Sequence, residues 1–134
     1  MRTIYAGVIM KSNKCAILDS NFLLAPYQFK IDIVDEIKDL GFAPITLSCV
    51  IYEIEHLVEN RGKTGSAAKI ALEIINKRRI PVKHADGLAD KTILEYALKE
   101  DCAVATNDAK LIRRLKEKNI EVLRIKQRKL VVVD

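Results

Sequence analysis

Asp19, Glu53, Asp90 and Asp108 are the residues whose types and positions could together do chemistry. Asp19 ends the apolar run that starts at Cys15, and Asp108 follows the run Cys-Ala-Val-Ala-Thr-Asn over 102–107. Glu53 and Asp90 each stand early in a helix-like segment that follows a shorter apolar run. In an open parallel sheet, sites form outside the carboxyl ends of the strands, so acids far apart in sequence would meet in one cleft. Clustered carboxylates repel one another and call for a cation. Hard divalent ions such as Mg²⁺ or Mn²⁺ take carboxylate oxygens. Carboxylates around such ions can position a water, lower its pKa and stabilise a phosphodiester transition state. No histidine base is then required, and the chain has only His56 and His84, neither with a zinc-like partner.

Each acid also has a structural role open to it. Asp19 and Asp108 could cap helices, and Asp90 would be favoured by a helix dipole. Glu53 could be an ordinary surface residue. Four acids at matching strand-end or helix-start positions shift the balance toward a site.

The elements that must position these acids are legible from periodicity. Residues 15–19 read as a short buried strand. Asn21–Leu24 begins a helix that Pro26 should disturb. Ile33–Leu40 has helical apolar spacing, with Gly41 as a stop. Pro44–Leu47 reads as a strand, and Ser48 as the cap of a helix from Cys49 to about Glu59. A helix over Ser66–Arg78 and a short edge strand over Ile80–His84 follow. Ala89–Glu100 and Ala109–Lys118 read as helices, Cys102–Thr106 and Glu121–Ile125 as strands. Leu130–Val133 is either a last strand or a segment that packs on a partner. Strands alternating with helices imply parallel pairing by right-handed crossovers, hence a three-layer α/β/α sandwich around a central parallel sheet.

Composition bounds the rest. At 134 residues, 49% hydrophobic and 31% charged, the chain suits one ordinary domain with a real core. We divide it into an N-terminal lead-in, 1–13, and a single domain, 14–134. No apolar stretch approaches a membrane span, and the N-terminus is too short in apolar residues for a signal peptide. Cys15, Cys49 and Cys102 form no CxxC pair, and an odd count argues against a disulfide scaffold or zinc site. All are expected to be free core residues in a reducing, cytoplasmic setting.

The net charge is +5. Residues 110–129 hold nine basic side chains against two acids, so the remainder is net acidic. A basic segment beside an acidic, metal-seeking site suits a polyanionic substrate. The other reading of that segment is a solvated helix face with a tail. Arg61–Thr64 resembles the end of a phosphate-binding loop, but Leu57 stands where the first glycine would be needed. With four Tyr, three Phe and no Trp, base recognition by stacking is not indicated.

Ile17-Leu18-Asp19-Ser20-Asn21, Glu53 in Val50–Ile54, Ala89-Asp90-Lys91-Thr92-Ile93, and Ala105-Thr106-Asn107-Asp108 with the following Lys110–Arg114 resemble the PIN domain family of metal-dependent ribonucleases. The resemblance covers about residues 14–126 and is specific in order and spacing, although each motif alone is weak. It implies an endoribonuclease acting with Mg²⁺ or Mn²⁺, in which Asp19, Glu53, Asp90 and Asp108 are the metal-binding set. Asn21 and Thr106 would be supporting polar residues. Lys91, Lys110, Arg113, Arg114, Arg124, Lys126 and Arg128 would meet RNA. The Thr-Asn-Asp run with its basic helix looks closer to the rRNA-processing branch and its archaeal relatives than to typical VapC toxins. Many relatives carry a second acid directly after the equivalent of Asp90. Here it is Lys91, for which Asp86 could compensate. Two alternatives stay open: a VapC-type toxin held by an antitoxin, and a non-catalytic RNA-binding or assembly module. A homodimer or a ribosome-assembly partner is also consistent with the resemblance.

Overall fold

A computed structural model of the chain describes residues 2–5, 8–11, 13–29, 32–127 and 129–133. Arg128, assigned to RNA contact from sequence, lies outside them, as do Met1, Ala6, Gly7 and Ser12 of the 1–13 lead-in.

Strands β1 (Arg2–Tyr5) and β2 (Val8–Lys11) pair antiparallel as a separate two-stranded sheet. There follow β3 (Lys14–Leu18), α1 (Ser20–Phe29), α2 (Ile33–Asp39), β4 (Phe42–Leu47), α3 (Ser48–Leu57), α4 (Lys63–Lys77) and β5 (Val82–Lys83). The chain then forms α5 (Ala89–Glu100), β6 (Ala103–Ala105), α6 (Ala109–Glu117), β7 (Val122–Lys126) and β8 (Lys129–Val133). The main sheet runs β5-β4-β3-β6-β7-β8. Every pairing in it is parallel except β7 with β8, which is antiparallel. The apolar ending is therefore an edge strand of the chain's own sheet.

From β3 the chain moves outward to β4 and β5, then crosses back to β6 on the other side of β3. The strand order thus reverses at β3 and β6, where a crevice opens at their carboxyl ends. These two strands are buried on both faces: Ala16, Ile17, Leu18, Ala103, Val104 and Ala105 are all inaccessible, as a parallel sheet covered by helices requires.

Helices cover the sheet in two groups. In one, α1 packs on α4 and α3, and α2 on β4; in the other, α5 packs on α6 and β6. On α4, Ala67, Ala68, Ala71 and Ile75 form the buried stripe, and their small side chains permit close approach to α1. On α6, Leu111, Ile112 and Leu115 turn inward while Lys110, Arg113 and Arg114 stay exposed. No helix among the described residues is long and apolar enough to cross a membrane.

Three sequence expectations are corrected. Pro26 lies inside α1 rather than disturbing it; the packed face around it (Phe22, Leu23 and Ala25 are buried) outweighs one missing backbone donor. Ser48 does not cap α3. Leu47 occupies the cap position without a side-chain bond, and the Ser48 hydroxyl instead accepts from the Ala85 amide at 2.9 Å and lies 3.2 Å from Asp86 Oδ1. Cys15 and Cys102 are not free: they form a disulfide, with Cα atoms 4.8 Å apart. The register that sets Ala16 beside Ala103 brings these two residues, 87 positions apart in sequence, into contact. Counting cysteines cannot reveal a pair that only strand order creates. Cys49 is free and buried.

Candidate active site

Asp19 follows β3 directly, and its amide donates to the Ala105 carbonyl at 3.0 Å, one step beyond the β3–β6 ladder. Its side chain is only 4% exposed. Thr106, the residue after β6, is fully buried and donates its hydroxyl to Asp19 Oδ2 at 2.8 Å. The Ser20 amide donates to Oδ1 at 2.8 Å. Thr46 reinforces the same corner from β4, donating to the Leu18 carbonyl at 2.8 Å.

Burial pushes the Asp19 carboxyl up to about 6. The hydrogen bonds from Thr106 and Ser20 oppose the rise, and the negative fields of Asp90 and Glu53 add to it. The two other acids therefore lie close enough to be felt. Glu53 is exposed on α3, and Asp90 is half-buried in the first turn of α5. Among the described residues, none of the four acids forms a salt bridge.

Asp108 takes a different posture. Its Oδ1 accepts from the Lys110 and Leu111 amides and caps α6. It remains tied to Asp19 through the backbone, since its own amide donates to the Thr106 hydroxyl at 3.1 Å. As the side chains stand, no three His, Cys, Asp or Glu residues among those described form a cluster that could hold a metal ion. The donor chemistry nevertheless suits a hard divalent cation: a desolvated carboxylate, two further acids that raise its pKa, and no salt-bridge partner among the described residues.

The supporting residues divide. Asn21 Oδ1 accepts from the Asn107 amide at 3.3 Å, so Asn21 braces the turn after β6. Asn107, which sequence reasoning passed over, accepts from the Ile125 amide at 2.8 Å and ties that turn to β7. Its place inside the Thr-Asn-Asp run was the available signal. Asp86 points to Ser48 and to His84, whose Nε2 is 3.3 Å away. Among the assigned RNA contacts, Lys91, Lys110, Arg113, Arg114 and Lys126 are exposed. Arg124 is half-buried, and its Nε lacks a hydrogen-bond partner among the described residues.

Thr106→Val should disclose this wiring. Without the hydroxyl, Asp19 loses a bond that favours its charged form, and the Asp108 amide loses its acceptor. We expect the Asp19 titration to move above about 6 and stability to drop by about 1–3 kcal/mol. Carboxyl-resolved NMR titration with denaturant unfolding would measure both. An unmoved Asp19 titration would contradict the role given to Thr106.

The model of the PIN like domain matches residues 16–128. The chain belongs to the PIN family. Among relatives of this PIN domain, Ribonuclease VapC9 of Archaeoglobus fulgidus is 32% identical over 123 residues, which is 90% of each protein. Ribonuclease VapC4 of Methanocaldococcus jannaschii is 36% identical over 118 residues, covering 83% of this chain and 89% of its own. The PIN domain endonuclease Utp24 superposes with a TM-score of 0.76 at 28% identity, over 90% of this chain and 91% of the other. The three-layer PIN architecture expected from the alternation of elements is the one observed.

Proposed function

We propose that this PIN domain is an endoribonuclease that hydrolyses RNA phosphodiester bonds with a divalent metal. The observation that carries the reading is Asp19: a carboxylate raised to about 6 by burial and by the fields of Asp90 and Glu53, with no salt-bridge partner among the described residues. The names of the ribonuclease relatives support the substrate class. Asp19, Glu53, Asp90 and Asp108 would hold Mg²⁺ or Mn²⁺, which when bound supplies Lewis acidity at the phosphodiester and acidifies a water.

The chain's own residues do the rest. Thr106 and Ser20 fix the Asp19 carboxylate in one orientation, so little reorganisation is needed when charge develops. Asn21 and Asn107 hold the Thr106–Asp108 turn against β7. Helix α6 starts at Asp108 and presents Lys110, Arg113 and Arg114 to solvent, where they would hold phosphates beside the acids. Lys91 and Lys126 extend that basic surface.

The VapC relatives favour a second reading of the biological role, a toxin held by an antitoxin, beside the rRNA-processing role. A small protein that copurifies and blocks cleavage would decide for the toxin. A cytoplasmic setting is part of this proposal, and the Cys15–Cys102 bond, of a kind rare in reducing compartments, is what stands against it.

The test is cleavage of mixed single-stranded and structured RNA with Mn²⁺ or with chelator, using wild type and Glu53→Gln. We expect cleavage only with metal and at least tenfold loss in the variant. RNA bound but uncut under every condition would instead make the protein a binding module.

A further inference from the structure

Between α3 and the segment that follows β5 lies a cavity of about 560 Å³ that the mechanism does not use. One wall is the α3 stripe Ser48, Ile51, Tyr52 and Glu55, spaced so that all four face the same way. The opposite wall is Val82 on β5 with His84, Asp86 and Gly87 in the segment that leads to α5. The first wall belongs to α3, which carries Glu53, and the second leads into α5, which carries Asp90. Cys49, which also lines the cavity, sits one helical turn from Glu53. The cavity thus adjoins the helix that carries Glu53, although none of the four acids lines it.

Its chemistry is specific. Tyr52 is 63% exposed, and its ring lies against that of His56 with centroids 4.2 Å apart, which limits its motion while leaving it open to solvent. Val82, at 46% exposed, stands on the facing wall. Among the described residues no Lys or Arg lines the cavity, which does not favour a phosphate there. Its acceptors are the Asp86 and Glu55 carboxylates; the Ser48 hydroxyl lies within donating reach of Asp86 Oδ1 and of the Ala85 carbonyl, and His84 Nε2 lies 3.3 Å from Asp86.

We infer that this cavity receives an unstacked base of the RNA substrate, laid on Tyr52, and prefers a base with an exocyclic amine (adenine, cytosine or guanine) over uracil. Single-stranded RNA is read by aromatic stacking together with hydrogen bonds to base edges, and carboxylates accept from exocyclic amines. The scarcity of aromatic residues argued from sequence against stacking. Placement reverses that argument, because one ring suffices if it stands open beside the site.

The inference rests on the proposed ribonuclease reading, so its test is separated from cleavage. Short single-stranded RNAs that differ only at one position, carrying each base or an abasic residue there, are bound in chelator and followed by fluorescence anisotropy. At one position relative to the strand end, we expect affinity for adenine or cytosine to exceed that for uracil, and the abasic RNA to bind about tenfold more weakly than the best. Tyr52→Ala should flatten the series to the abasic level, and Tyr52→Phe should retain it. Equal affinity across the series, or the same preference in Tyr52→Ala, would overturn the subsite. The same RNAs with Mn²⁺ then separate the two readings: uniform cleavage would leave the nuclease standing without the subsite, and preferential binding without cleavage the reverse.

Discussion

Asp19→Asn should remove metal-dependent RNA cleavage and, at the same time, stabilise the metal-free protein at neutral pH. Loss of a carboxylate proposed to hold the ion should remove several kcal/mol of transition-state stabilisation, a fall in rate on the order of 10³-fold. The stability gain has the opposite origin. An ordinary aspartate titrates near 3.8, and in the folded protein Asp19 is raised to about 6. Between those values the native state holds a proton that the unfolded state has released. Stability from this group is therefore present at low pH and lost as pH climbs through that window. At pH 7 the buried charge costs on the order of 2–3 kcal/mol. Asparagine keeps the side-chain shape and an oxygen for the Ser20 amide without the charge. In chelator, the variant should melt above wild type at pH 7.5 and level with it near pH 4. Added Mn²⁺ should raise the melting temperature of wild type alone. Full metal-dependent activity in the variant would sink the assignment, and a destabilisation equal at both pH values would sink the electrostatic argument.

Opening the Cys15–Cys102 bond should have the largest effect on stability. The bond closes a loop of 87 residues' separation. Cross-linking so long a loop reduces the freedom of the unfolded chain by an amount worth about 4–5 kcal/mol in the chain-entropy account. Reductant, or Cys15→Ala with Cys102→Ala, should lower the melting temperature by on the order of 10 °C. Cys49→Ala should leave the response to reductant in place, because Cys49 is free. The bond lies at the amino ends of β3 and β6, while the acids lie at their carboxyl ends. Cleavage measured well below the melting temperature should therefore hardly change. The simplest check is non-reducing intact mass against thiol titration: three reactive thiols in the unfolded, unreduced protein would refute the bond.

The basic helix illustrates what pattern alone conveys. Lys110, Arg113 and Arg114 alternate with Leu111, Ile112 and Leu115 at a period only a half-buried helix accepts, so both faces of α6 were legible before any coordinates. The double duty of Asp108 was legible only as two competing possibilities, cap or ligand. Its Oδ1 bonds to the Lys110 and Leu111 amides show that the cap is made. Pro26 and Ser48 misled for one reason: each was judged by local preference, and tertiary contacts outweighed it.

By itself, then, the amino-acid sequence determined the alternation of strands and helices, the buried strands with acids at their ends, the basic final helix and the PIN resemblance. All are consequences of period, of local residue type or of motif spacing, which act along the chain. Tertiary structure alone decided which residues meet across it. Strand order set Cys15 beside Cys102, Thr106 under Asp19 and Asn107 against Ile125, and it put Tyr52 across a cavity from Val82 and His84. The reason is physical: the crossover that places β6 beside β3 is selected by the burial of the whole sheet, and no local property of residues 15, 19, 102 or 106 records it.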